Sequence, residues 1–230
     1  MLSASVTINF AMPSLAPEEL PVRLRYNLLI GSVVPRPIAV VGTVDRDGRP
    51  NLAPFSFFNA FSSEPMVLGF APVTGPAGEE KDSLRNAKPT WEGGTGCFTV
   101  SVATEAILKR VVAAAEGLPP GESEFALAGL TPAASRTIAA PHVAESPIAF
   151  ECETINVMRF APGVPNGGNL VVGRVKFLHV RDDLVNERMH VDADRLAAVG
   201  RMGGNAYALT RERVDVPMGK AALATGMPWD

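Results

Sequence analysis

The run from Arg36 to Asn59, Arg-Pro-Ile-Ala-Val-Val-Gly-Thr-Val-Asp-Arg-Asp-Gly-Arg-Pro-Asn-Leu-Ala-Pro-Phe-Ser-Phe-Phe-Asn, constrains this chain more than any other stretch. An apolar, β-branched strand leads into the Asp/Gly-rich turn Asp45-Arg46-Asp47-Gly48-Arg49, which is a hairpin signal. The returning strand holds Pro54 and three phenylalanines. Proline has no backbone donor and is confined to sheet edges and bulges. That strand is therefore no plain central ladder but an edge or bulged one, and Ala53 to Phe58 should leave backbone N–H and C=O groups free for a ligand.

The remaining patterns are mostly strands. Met66 to Phe70 reads as a strand broken by the Pro/Gly-rich loop 72–78, and Cys97 to Ala103 as another. Ile148 to Val157 and Leu170 to Val180 read as a long antiparallel hairpin joined through 161–168. Helices are few and short. Ser83 to Lys88 fits one, capped by Asp82 or Ser83 and stopped by Pro89. Thr104 should cap a second, with Ile107, Leu108, Val111, Val112 and Ala115 on one face and Gly117, Pro119 and Pro120 ending it. Phe125, Leu127 and Leu130 can anchor the aperiodic segment 118–136, and Asp192 to Val199 reads as a short helix capped near Asp192. Six or more strands without βαβ alternation predict a mainly β, antiparallel, closed or partly closed barrel.

Composition excludes several functions. With 47% hydrophobic residues, 20% charged residues and a net charge of −3, the chain has no global basic surface for nucleic acid. No apolar run approaches a membrane span, and the first ten residues lack the basic region of a signal peptide. Cys97 and Cys152, the only cysteines, read as buried free thiols of a cytoplasmic protein. His142, His179 and His190 are too far apart in sequence to mark a metal cluster, and His179 shares strand parity with Val175 and Phe177, so each reads as structural. No nucleophile constellation is present, and no metal is expected.

Taken together, the Arg36–Asn59 run, Ser62-Ser63-Glu64-Pro65, Lys81-Asp82-Ser83-Leu84-Arg85-Asn86 and Gly200-Arg201-Met202-Gly203-Gly204-Asn205-Ala206-Tyr207 resemble the flavin reductase-like proteins over roughly residues 25 to 215. The resemblance implies a Greek-key split β-barrel with a few short helices, and a homodimer carrying two flavins at its interface. The expected organisation is an extended arm over residues 1–20, the barrel domain over 21–215 and a tail over 216–230. The expected cofactor is FMN, with FAD as a variant and NADH or NADPH as a transient donor. Lys81, Asp82, Ser83 and Arg85 are the phosphate-side candidates, with Arg36 as a further one. Asn51, Ala53, Pro54, Ser56, Phe57, Phe58 and Asn59 are the ring-side candidates. Within those sets, Asp82 reads better as a helix cap and Phe58 equally well as core, whereas Ser56 and Asn59 are polar groups in an apolar strand and need buried partners.

The implied activity is an NAD(P)H:flavin reductase that supplies reduced flavin to a partner monooxygenase. A flavin-binding electron-transfer or storage protein is the alternative, and a non-flavin barrel acting as a binding module is the third reading. The Gly203-Gly204 pair, with Tyr207, permits close backbone approach at one end of the site.

Overall fold

The computed structural model describes residues 14–119 and 122–228. In chain order these form α1 (Val22–Ser32), β1 (Arg36–Pro37), β2 (Ala39–Val44), β3 (Pro50–Phe55), β4 (Phe58–Ser63), β5 (Met66–Phe70) and α2 (Asp82–Ala87). There follow β6 (Cys97–Val102), α3 (Leu108–Ala113), α4 (Glu124–Ala128), β7 (Pro132–Ala133), β8 (His142–Val143), β9 (Ile148–Arg159) and β10 (Asn169–Val180). The last elements are α5 (Ala193–Leu196), β11 (Val199–Arg201) and β12 (Tyr207–Leu209).

Seven strands form one sheet in the order β3-β2-β6-β9-β10-β5-β4, every pair antiparallel. Its two edges, β3 and β4, are consecutive in the chain and separated only by Ser56 and Phe57. Two linking residues span about 10 Å, whereas the edges of a flat seven-stranded sheet lie about 29 Å apart. The sheet must therefore roll until its edges nearly meet. The result is the expected split β-barrel, open along the line between β3 and β4.

At β2 both faces of the rolled sheet are covered, which accounts for the unbroken apolar run of that strand. Val41 points inward to Phe70, Phe98, Val100, Cys152 and Val171, while its neighbour Val40 points outward to Ile107, Val111, Phe125 and Val143. Inside, Phe70 is packed between Phe55 and Phe98, with ring centroids 4.9 and 5.0 Å away. The β2–β3 hairpin has the expected register, Ala39 opposite Phe55 through Val44 opposite Pro50, and Asp45 closes its turn by accepting from the backbone of Asp47 and Arg49. The long β9–β10 hairpin and the Asp192 cap, which accepts from the backbone of Asp194 and Arg195, also match the sequence.

Other elements differ. No side chain caps α2; its N-cap is Lys81, so neither Asp82 nor Ser83 plays that part. Thr104 does not cap either, because the chain first makes a 3-10 turn at Glu105–Ile107. This tighter turn shifts the buried face to Ile107, Val111 and Ala114, leaves Val112 and Ala115 exposed, and ends α3 before Gly117. Helix α4 lies in a segment read as aperiodic; Phe125 and Leu130 anchor it, and Leu127 faces solvent. Helix α1 was not anticipated, since its apolar residues run around the whole cylinder and none is buried. The arm is extended only in part, with a 3-10 turn at Pro17–Glu19; residues 1–13 and Pro120 lie outside the described residues.

Candidate functional site

Hairpin β2–β3 and helix α2 meet in a buried polar cluster. Thr43 and Asn51 are opposite each other in the register, and the Asn51 amide donates to Thr43 Oγ1 (3.1 Å) and to Ser83 Oγ (3.2 Å). Asn86, one turn beyond Ser83 on the same helical face, donates to Thr43 Oγ1 as well (3.2 Å). Ser83 is 4% exposed and Thr43 fully buried. Leu84 and Ala87, both fully buried, hold this face of α2 against the barrel. Residues 32 apart in sequence thus share one constellation. Thr43 and Asn86 were missed by the sequence reading, although strand register and the i, i+3 spacing point to both.

The charges around the cluster are unevenly matched. Arg85 pairs with Asp82 and donates to the Glu80 carbonyl (2.7 Å). Glu80 is itself bound by Lys88 (2.6 Å) and Arg159 (3.2 Å); burial works against its charge, but those hydrogen bonds hold its carboxyl below the usual range. Lys81 is exposed and, among the described residues, its ammonium has no anionic partner. A cleft of about 520 Å³ runs from Asn51, Asp82, Arg85 and Asn86 past the turn at Asp45 toward α4.

The ring-side candidates lie along the split. Ala53, Pro54, Ser56, Phe57 and Phe58 are half-buried. In an antiparallel edge strand alternate residues turn both backbone groups away from the neighbour. Leu52 does so, its N–H donating to the Glu124 carboxylate (3.2 Å), and Pro54 takes the next such position, where a missing N–H disturbs no ladder bond. Phe55 and Phe58 pack into the inner core. Asn59 does not gain the buried partner expected of it: it is exposed and its Oδ1 accepts from the N–H of Ala60 (2.9 Å).

Arg36 is placed differently from the other phosphate-side candidates. It is 5% exposed, and Nε donates to Ser56 Oγ (3.2 Å). Nη1 donates to the carbonyls of Ile30 (2.6 Å) and Val33 (2.9 Å), and Nη2 to that of Met202 (3.1 Å). Arg36 therefore shares no hydrogen bond with Asn51, Lys81 or Ser83. Its bond to Met202 brings the Gly200–Tyr207 segment beside the ring-side strand, where β1 pairs with β11 and the Arg201 guanidinium stacks on Tyr207 at 4.5 Å.

A second polar cluster lies on the outer face, under residues 131–147. The fully buried Glu151 carboxylate accepts from the backbone of Arg136 (2.6 Å) and Thr137 (2.7 Å), from the Thr137 hydroxyl (2.5 Å) and from His179 Nε2 (2.7 Å). Burial alone would raise its pKa; the Thr137, Arg136 and His179 hydrogen bonds outweigh that and hold it at about 2. His142 stacks on His179 with ring centroids 4.3 Å apart, and burial lowers its pKa, with His179 adding to the effect. The two histidines are thus neighbours in space. No group of three metal-ligating side chains occurs among the described residues.

The rolled seven-stranded barrel carries a polar cluster beside its split, and the chain belongs to the flavin reductase-like family. The model of the flavin reductase like domain matches residues 30–199. The chain is 38% identical over 194 residues to an uncharacterized protein of Halalkalibacterium halodurans, covering 84% of this chain and 90% of that one. Among solved structures it is similar to nitrilotriacetate monooxygenase component B from Bacillus cereus, at 35% identity and a TM-score of 0.82, covering 90% of this chain and all of the other. It is also similar to the 2-nitrobenzoate 2-nitroreductase NbaA of Pseudomonas fluorescens, at 29% identity and a TM-score of 0.78, covering 90% and 97%.

Proposed function

We propose that the protein is an FMN-binding oxidoreductase: an NAD(P)H:flavin reductase whose reduced flavin serves a partner monooxygenase. The observation that carries this reading is the Asn51–Ser83–Asn86–Thr43 cluster with the unpaired Lys81 at its rim, next to an edge strand rich in phenylalanine. The donor set fits the cofactor. Hydroxyl, amide and ammonium donors suit a phosphate dianion, and the half-buried Ala53–Phe58 edge suits a flat apolar ring with polar rim atoms. FAD meets the same requirements. When bound, the flavin supplies the hydride chemistry; the protein's residues orient it and keep water from one face.

In this reading Lys81 and Ser83 hold the phosphate, Asn51 orients the Ser83 hydroxyl, and Ala53, Pro54, Ser56 and Phe57 border the ring. Asp82 acts on Arg85 and not on the cofactor. NADH or NADPH docks transiently as the electron donor. The similarity to a monooxygenase component B supports the partner.

A homodimer completes the protein. Val22, Leu24, Tyr26, Leu28 and Leu29 of α1 are each about half exposed or more, as is Phe61 on β4, and α1, held by Arg36 at its end, buries none of its residues fully in the lone chain. A second copy covers these faces. The two cysteines, both buried and free, suit the reducing cytoplasm.

The test is a fluorescence titration of the purified protein with FMN, FAD and riboflavin, followed by steady-state NADH and NADPH oxidation with added FMN. Lys81→Ala and Ser83→Ala should each weaken FMN by about tenfold, the scale of one charge-assisted hydrogen bond, and leave riboflavin unchanged. A protein that quenches none of these flavins would falsify the proposal, and tight flavin binding without NAD(P)H turnover would refute the reductase assignment.

A further inference from the structure

We propose that Arg36 is a positioning residue for the flavin ring, acting through Ser56, and not a phosphate ligand; the inference rests on the flavin reading above. The guanidinium is buried and in contact with four acceptors on three separate pieces of chain. These are Ser56 Oγ at the β3–β4 crossing, the Ile30 and Val33 carbonyls at the end of α1, and the Met202 carbonyl before Gly203-Gly204.

Four of its five N–H groups are engaged this way, so a single donor remains. Bidentate recognition of a phosphate needs two parallel donors. The end of α1 presents carbonyls that no intrahelical donor can reach, and Arg36 satisfies two of them. The guanidinium also lies 5.8 Å from the Phe57 ring centroid, next to the residue it bonds. Through its bond to Ser56 and its contact with Phe57, the arginine ties the short link to α1 and the C-terminal segment that it binds on its other side.

The link needs such a brace. β3 and β4 pair with opposite sides of the barrel; the Phe57 carbonyl still accepts from the Ala71 N–H (2.8 Å), but Ser56 lies outside both strands, and β4 is exposed along most of its length. Without a side-chain clamp, Ser56 would be held only through its neighbours, Phe55 on β3 and the Ala71-bonded Phe57. A lysine cannot replace the clamp, since one ammonium cannot reach acceptors spread over the guanidinium plane.

The experiment compares FMN with riboflavin, which has the ring but no phosphate, using fluorescence titration of the full-length protein. Arg36→Lys and Ser56→Ala should each weaken both flavins by the same factor, about tenfold, and the double variant should be no weaker than the worse single one. Lys81→Ala, acting on phosphate, weakens FMN only. A loss from Arg36→Lys confined to FMN overturns the proposal in favour of a phosphate contact. Losses that multiply in the double variant overturn it too, because Arg36 would then not act through Ser56. Should Arg36→Lys fail to fold, Ser56→Ala carries the test alone: equal affinity to the unaltered protein for both flavins overturns the proposal. If the unaltered protein binds neither flavin, the flavin reading itself falls and this inference with it.

Discussion

Replacing Glu151 by glutamine keeps the shape of the side chain and removes its charge, and the geometry dictates what must then go wrong. Oε1 accepts from the Arg136 N–H and His179, and Oε2 from the Thr137 N–H and hydroxyl. Whichever oxygen becomes the amide nitrogen, a donor is turned toward a backbone N–H. The hydroxyl or the imidazole can adapt; the backbone group cannot. One buried N–H left unsatisfied costs about 1–3 kcal/mol, and the surviving bonds lose their charge assistance. The same hydrogen bonds, seen through proton affinity, give a similar scale: a buried carboxyl moved from 4.5 to about 2 carries about 3 kcal/mol at 1.36 kcal/mol for each tenfold change. Because the folded pKa is depressed, this stabilisation is complete above about pH 4.5 and is lost as the pH falls toward 2. Urea unfolding at fixed protein concentration should therefore show Glu151→Gln less stable by about 3 kcal/mol at pH 7, with the same m-value and a flatter profile between pH 5 and 2. His142 adds to acid sensitivity at higher pH, since its lowered pKa means that the unfolded chain takes up the proton first as the pH falls below 6.5. A loss under about 1 kcal/mol, or an unchanged acid slope, would refute this account of the cluster.

Two further predictions concern packing. Cys152 is fully buried inside the barrel, and burial pushes its thiol far above the ordinary range; Cys97 is buried on the other face of the same sheet, with Val44 and Ala140. A thiol-reactive chromophore should leave both unlabelled in native buffer and label both in denaturant, and rapid stoichiometric labelling of the native protein would contradict the fold. At Gly42 a Cβ would lie 2.1 Å from the Pro141 carbonyl oxygen and 2.6 Å from Thr99 Oγ1, so Gly42→Ala should lose about 3 kcal/mol or more in the same urea assay. Gly31 near the end of α1 has nothing within 4 Å of that position, and Gly31→Ala should gain up to about 1 kcal/mol in helix propensity. Equal effects at the two glycines would count against the close approach of residues 131–147 to β2.

The hairpins were legible because their signals are local. The Asp45–Arg49 turn sets the β2–β3 register, and the Gly/Pro link at 161–168 sets the β9–β10 pair. Asp192 was legible as a cap for the same reason. The shift in the α3 face was not, because a 3-10 turn at Glu105–Ile107 advances the chain by a different angle from an α-helix without any change in residue type. Helix α1 escaped notice since its apolar residues have no single inward face to reveal a period. Ser83 was found through motif and Asn51 through its strand, but their meeting depends on how α2 packs on the hairpin. The Glu151 cluster was invisible for the same reason, its partners lying on a loop and on the neighbouring strand.

Arg36 marks the limit of reading chemistry from residue type. An arginine near a phosphate motif invites pairing with the phosphate, yet the need that claims it is topological. Because β3 and β4 follow each other in the chain and sit at opposite edges of the sheet, the barrel closes through a two-residue link in which Phe57 bonds to Ala71 and Ser56 lies outside both strands. A cation with five directed donors is suited to such a junction, because it can satisfy a hydroxyl and several orphan carbonyls at once. Proline at the outward position of β3 and the exposed run of β4 belong to the same junction. The irregularity that makes Arg36–Asn59 look like a poor strand thus follows from where the barrel must split. On the proposed flavin reading, a ring bordered by that split would depend on the residues that hold the junction as much as on Lys81 and Ser83.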